Sequence, residues 1–220
     1  MQKVIAIDGP SGSGKSSVSK LVASKLGYLH VDSGALYRLM AWIALNAKVD
    51  PEDEAAVVAA VESARYEFKV DGGKVVCLVG GEDPGEGLRT PEINTAVSFV
   101  SKMAPVRAKV TAWLREMTKL GGLVVEGRDI GTVVFPDAEA RFYLDADPEV
   151  RAMRRHAEIQ DKNRSDQSRE AVLESLLRRD RIDSTRAIAP LRMAEGALKI
   201  DSTHLTLDQV VATVFENIPR

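Results

Sequence analysis

The segment Gly9-Pro10-Ser11-Gly12-Ser13-Gly14-Lys15-Ser16 constrains this chain more than any other. It fits G-x-x-x-x-G-K-[ST] and follows the short apolar, β-branched run Val4-Ile5-Ala6-Ile7, with a helix expected through about Leu26. An apolar run of that length reads as a parallel strand buried on both faces. Strand, glycine loop and helix N-terminus together form a phosphate cradle, because glycines let backbone N–H groups turn inward and the helix end adds partial positive charge. Lys15 then reaches toward the β and γ phosphates of a nucleoside triphosphate and Ser16 can ligate magnesium, while Gly9 to Gly14 and Ser17 complete the wrap.

The chain keeps alternating downstream. Tyr28 to Val31 reads as a second strand, and Leu36, Leu39, Met40, Ile43 and Ala44 recur at helical spacing within Ala35 to Ala47. Pro51 and two acids open a helix to about Ala64. The texture then changes: Tyr66 to Val70 alternates, Asp71-Gly72-Gly73 turns and Lys74 to Val79 answers, which predicts an antiparallel hairpin followed by a glycine-rich loop over 80–87. Helices are expected from Pro91 and Pro105, core strands over 123–125, 141–144 and 198–200, and further helices over 149–160, 168–184 and 206–217, with a polar link at 161–167. The whole reads as α/β: a parallel sheet flanked by helices, with a small antiparallel sheet grafted in at roughly 65–95.

Composition removes several other classes. With 220 residues, 45% hydrophobic and 28% charged, the chain is long enough for a substantial core. No uninterrupted apolar stretch is longer than Ala55 to Val61, far short of the ~20 residues a membrane helix needs, and Asp8 and Gly9 arrive before a signal-peptide core could form. One cysteine, Cys77, allows no internal disulfide, and His30, His156 and His204 are too scattered for zinc. A reduced cytoplasm is the expected setting. The net charge of -2 and 5% aromatic content argue against a nucleic-acid partner. Arginine, however, is concentrated late: residues 151–192 hold ten of the eighteen, and eleven bases against seven acids leave a local excess of four positive charges. Guanidinium grips phosphate bidentately, so this bias fits phosphate chemistry as well as a solvated, salt-bridged helical face.

A phosphate loop alone leaves switches, motors and kinases open. Neither Asn-Lys-x-Asp nor Asp-x-x-Gly occurs, which removes the guanine-specific switch. A kinase of small acceptors needs a second phosphate-gripping set and a cationic cover that excludes water. Candidates for the first are Asp32-Ser33-Gly34-Ala35-Leu36-Tyr37-Arg38, after the second strand, and Glu126-Gly127-Arg128-Asp129-Ile130-Gly131, after the strand near 124. Ser33 also suits a helix cap, and Arg128 with Asp129 also suits a surface ion pair. For the cover, Arg179, Asp183 and Arg186 fall at i, i+4 and i+7 on one helical face, with Leu173, Leu176 and Leu177 to anchor it. Arg151, Arg154 and Arg155 lie on the preceding helix, so the two helices read as a hinged cationic lid.

Five segments together resemble the bacterial cytidylate kinases: Ile7 to Lys15, Asp32 to Arg38, Gly127 to Ala138, Arg186-Ala187-Ile188-Ala189-Pro190-Leu191 and Asp201-Ser202-Thr203. The resemblance spans essentially the whole chain. Ser16-Ser17 stands where Gly-Thr is common, which keeps a hydroxyl for magnesium, and Ile182 replaces a frequent charge. The resemblance implies a core (1–34, 98–150 and 187–220), an acceptor-binding insert (35–97) and a lid (151–186), acting as a monomer on ATP with Mg2+ and on CMP or dCMP. It further implies that Ser98, Arg107 and Asp129 read cytosine, Arg38, Arg128 and Arg186 hold the acceptor phosphate, and Arg179 with Asp183 meets the sugar. Lid closure is expected to bring arginines from among Arg151, Arg154, Arg155, Arg179 and Arg181 toward the transferring phosphoryl. The alternatives are a kinase of UMP or shikimate and, from a different class, a non-catalytic nucleotide-binding switch.

Overall fold

The computed structural model describes residues 3–161 and 167–219. The first strand, β1 (Val4–Asp8), is buried along its whole length and forms parallel ladders with β5 (Leu123–Gly127) on one side and β6 (Ala140–Asp145) on the other. β2 (Leu29–Asp32) extends the parallel sheet beyond β5, and β7 (Leu198–Asp201) extends it beyond β6. The hairpin of β3 (Tyr66–Asp71) and β4 (Lys74–Val79) completes a seven-stranded sheet of order β3-β4-β2-β5-β1-β6-β7. The expected antiparallel hairpin is thus grafted onto the edge of the parallel sheet, where β4 joins β2 through the single pair His30↔Lys74. Tyr66 and Phe68 of the hairpin also pack on Trp113, with ring centroids 4.2 and 5.3 Å away.

Alternate residues of the central strands feed two cores. Val4, Ala6, Val31 and Val125 face α2 (Ser33–Asn46), α4 (Pro91–Val100) and α5 (Ala104–Met117), with α3 (Glu54–Ser63) packed outside α2. Ile5, Ile7, Val124, Phe142 and Leu144 face α1 (Lys15–Leu26) and α8 (Leu207–Glu216). Each fully buried aliphatic side chain in these layers stabilises the fold by about 1.5–3 kcal/mol. A smaller cluster of Ala152, Val172 and Leu176 joins α6 (Pro148–Asp161) to α7 (Arg169–Thr185). Leu177, expected to help anchor α7, is exposed instead, and residues 162–166 of the anticipated link lie outside the described residues.

Capping explains where helix starts differ from the sequence reading. Asp32, not Ser33, caps α2 by accepting from the Ala35 amide, so the helix begins two residues early. Asp53 caps α3 in the same way through Ala56 N–H, and Pro51 belongs to the turn before it. The register aligns Asp8 with Gly127 and Asp32 with Glu126, which brings the carboxyl ends of β1, β2 and β5 to one edge. Ligands of open α/β sheets bind at that edge, where the strand order reverses around β1.

Candidate active site

A cleft of about 640 Å³ opens at this edge between the loop 9–14, α2, α4 and the α6–α7 pair. Ser11 to Ser17 line its inner wall. Gly9 has φ +150°, and a Cβ there would lie 2.0 Å from the Leu144 carbonyl oxygen, so the loop can pass β6 only as glycine. Gly12, at φ +77°, gives similar room to the Arg151 backbone. Gly9 and Pro10 shape the turn without bordering the cleft. Lys15 is buried, and its Nζ donates to the Pro10 carbonyl at 2.6 Å and lies 3.4 Å from Ser13 Oγ. Burial, and then repulsion from Arg128, pull its ammonium down to about 7 against the pull of Glu126 and Asp8.

The opposite wall is crowded with guanidinium groups. Arg38, Arg128, Arg155 and Arg179 border one stretch of the cleft, together with Arg186 and Asp183. Burial holds Arg179 down to about 10, reinforced by Arg128 and Arg38 and opposed by Asp183. Asp183 accepts from Arg128 Nε at 2.9 Å and pairs with Arg186 at 3.8 Å. Arg38 Nε and Arg186 Nη2 are buried with no hydrogen-bond acceptor. Buried donors without partners are costly, so these two ask for an anion. Three charged side chains of α7 and its cap thus share one face, as their spacing predicts. Arg181 does not: two residues beyond Arg179 it turns about 200° around the helix, and it stands exposed and away from the cleft. Its expected approach to the phosphoryl has no counterpart in this arrangement of α7.

Asp129 lies at the floor beyond β5, 3% exposed. Its Oδ2 accepts from Arg107 Nη2 at 2.5 Å, and its Oδ1 is 3.6 Å from Arg186 Nη2. Arg107 is buried behind Asp129 rather than bordering the cleft; it also donates to the Ser101 carbonyl and sits 5.2 Å from the Tyr37 ring centroid. Tyr37, Ser98 and Ser33 all border the cleft, with Ser33 Oγ donating to the Glu126 carbonyl at 2.7 Å. From α6, Arg154 donates to the Ser202 hydroxyl and carbonyl at 3.0 and 2.7 Å, and Arg155 pairs with Glu158 at 2.7 Å.

The sequence matches the family described as cytidylate kinase over residues 5–220. The chain belongs to that family. A cytidylate kinase of Aeromonas salmonicida is 44% identical over 214 residues, covering 97% of this chain and 93% of that protein. One from Bacillus thuringiensis is 41% identical over 210 residues, covering 96% and 93%. Among solved structures, a Thermus thermophilus protein aligns over 99% of this chain and 98% of its own at TM-score 0.50 and 22% identity. An uncharacterised protein from Eubacterium ventriosum aligns over 98% and 97% at TM-score 0.54 and 10% identity. These two likenesses speak to the α/β fold alone.

Several groups of this cytidylate kinase family member escape motif reading. Asp8 accepts from the Ile130 and Gly131 amides at 2.8 and 2.7 Å and so shapes the π-helical turn Ile130–Val134 behind Asp129. Burial pushes its carboxyl up to about 6 against those two bonds. Arg151 is buried and donates to the carbonyls of Ala146 and Ser11 and, at 2.5 Å, to Asp180, whose other oxygen accepts from the Ser11 amide. This fastens α6 and α7 to the phosphate loop. Arg89, 3.7 Å from Asp32, adds a cation at the rim from the glycine-rich loop region. A lone arginine near that loop gives no local signal, and apart from the Arg151–Ala146 bond the other pairs span 29 to 169 residues.

Proposed function

We propose that this chain transfers the γ-phosphoryl of ATP to CMP or dCMP, giving CDP or dCDP and ADP. The observation that carries the reading is one continuous cleft with two anion-seeking walls: the Gly9–Ser16 loop with Lys15, and the guanidinium cluster whose Arg38 Nε and Arg186 Nη2 lack acceptors. A triphosphate on the first wall and a monophosphate on the second meet end to end. The membership in the cytidylate kinase family and the reach of the match over almost the whole chain support the same acceptor.

In this reading Lys15 follows the β and γ phosphates, and Arg128, Arg38 and Arg186 fix the acceptor phosphate, with Arg179 and Asp183 beside the sugar. Asp129 accepts from the cytosine amine, where uracil carries an acceptor oxygen that the carboxylate repels; Arg107 steadies Asp129, and Ser98 can donate to a ring acceptor. Arg154 and Arg155 close over the donor side and exclude water. The acceptor is already an anionic phosphate, so positioning and charge neutralisation supply the catalysis without a covalent enzyme intermediate. Ser16 fits magnesium, since it presents a hard oxygen to the cleft and Mg2+ in such sites takes most of its ligands from phosphates and water. When bound, the ion neutralises charge on the phosphates.

The division into core, acceptor-binding insert and lid follows from the same reading, with α6 and α7 as the cover. One chain carries every group used, which supports a working monomer. No helix among the described residues is long and apolar enough to cross a membrane, and a cytoplasmic setting supplies both nucleotides. A coupled ADP-release screen over CMP, dCMP, UMP and shikimate tests the proposal. CMP-dependent and dCMP-dependent release is expected; release with shikimate, or none with any acceptor, overturns it.

A further inference from the structure

One buried titratable pair beside the cleft has no role in the reaction as set out above. His30 Nε2 lies 3.0 Å from Glu126 Oε1, and both side chains are 8% exposed. The parallel register of β2 and β5 matches His30 with Val124 and Asp32 with Glu126, so His30 and Glu126 leave the sheet on the same face. Val124 on that face packs in the core that holds α1, whose first residue is Lys15. Glu126 borders the cleft, and its carboxylate is foremost among the negative charges that favour the Lys15 ammonium. A carboxylate this dry needs a donor, and the imidazole N–H supplies it.

The backbone of His30 has a second attachment. Its N–H donates to the Gly73 carbonyl at 2.9 Å, at the turn of the β3–β4 hairpin, and His30↔Lys74 is the pair that joins β4 to β2. A single residue therefore meets the hairpin through its main chain and the cleft floor through its side chain. We propose that His30 is a positioning residue for phosphoryl transfer: its imidazole holds the Glu126 carboxylate at the border of the cleft that Lys15 also lines, and its main chain ties that carboxylate's surroundings to the hairpin. The proposal deepens the kinase reading and rests on it.

The test compares His30→Gln with His30→Asn in the full chain. The Gln amide nitrogen can stand where Nε2 stands and still reach Glu126, whereas the shorter Asn amide cannot, and both leave the backbone bond to Gly73 in place. Losing a hydrogen bond to a buried charge should lower kcat with CMP by about tenfold or more in His30→Asn. KM for ATP and CMP should stay within about threefold, because the bond positions a group rather than binds substrate. His30→Gln should retain kcat within about fivefold. In a Glu126→Gln background, His30→Asn should cost nothing further, since His30 acts only through that carboxylate. The proposal is overturned if folded His30→Asn keeps parental kcat, if its loss is wholly in KM, or if the loss persists in the Glu126→Gln background. If His30→Asn does not fold, His30→Gln decides: a loss beyond fivefold in kcat overturns the proposal and retention within it upholds it. The parent protein is assayed alongside, and absence of CMP phosphorylation there refutes the kinase reading itself, separately from any difference among the variants.

Discussion

Replacing Asp129 with Asn removes one charge at the centre of the acceptor side while keeping the side chain's shape. Oδ2 is committed to Arg107 at 2.5 Å, which leaves Oδ1, 3.6 Å from Arg186, as the oxygen for the acceptor base. In the variant the remaining carbonyl oxygen stays with Arg107, its strongest available donor, and the new NH2 turns toward the base. It then faces the cytosine amine donor to donor, whereas it can donate to the corresponding uracil oxygen. A lost charge-assisted bond in a buried site is worth roughly 1.5–3 kcal/mol, so kcat/KM for CMP should fall by ~10- to 150-fold, with UMP falling less or rising. The same change leaves Arg107 without its buried counter-charge and Arg186 with Asp183 alone, which should also lower stability, by about 2 kcal/mol, less than the ~3–5 kcal/mol for breaking a buried pair outright. Steady-state rates with each acceptor at saturating ATP, together with urea denaturation, separate the two effects. Equal loss for CMP and UMP would refute Asp129 as the base selector and leave it a support for the arginines alone.

Arg151→Ala removes one hydrogen bond to the Ala146 carbonyl just before α6 and two that fasten α6 to the phosphate loop and to Asp180; it should cost about 3 kcal/mol in urea denaturation, and a loss under about 1 kcal/mol would show that the clamp is not formed in solution. Lys15, held down to about 7 in the free protein, is mostly neutral at pH 8, and triphosphate charge should raise it again. ATP binding at that pH should therefore take up roughly one proton, read as a dependence of calorimetric heat on buffer ionisation enthalpy, and heat independent of buffer would contradict it. Amide hydrogens over 148–161 and 169–185 should gain protection when a bisubstrate nucleotide analogue binds; unchanged exchange across both helices would count against a lid.

What the sequence makes legible is local. The phosphate loop needs only the order of strand, glycines, lysine and helix, all within fifteen residues, and the structure lays them out in that order. The α7 face of Arg179, Asp183 and Arg186 is equally local, because helical phase alone brings them together; the same phase, applied to Arg181, would have sent it outward. Ser33 was ambiguous between cap and site because two neighbouring residues could both cap, and the Asp32 carboxylate took the Ala35 amide. The remaining groups depend on tertiary pairing. Asp8 with the 130–131 amides, Arg151 with Asp180 and His30 with Glu126 lie 122, 29 and 96 residues apart, and no spacing rule connects them. The edge position of the hairpin is of the same kind, resting on one pair between β4 and β2.

The destination of the γ-phosphoryl separates a CMP kinase from every alternative. ATP carrying 18O in its γ-phosphoryl, incubated with the protein, magnesium and CMP, should yield CDP with the label in its β-phosphoryl, visible as an isotope shift by 31P NMR. Label recovered in inorganic phosphate with CMP unchanged would contradict it, whatever the rate of ADP release.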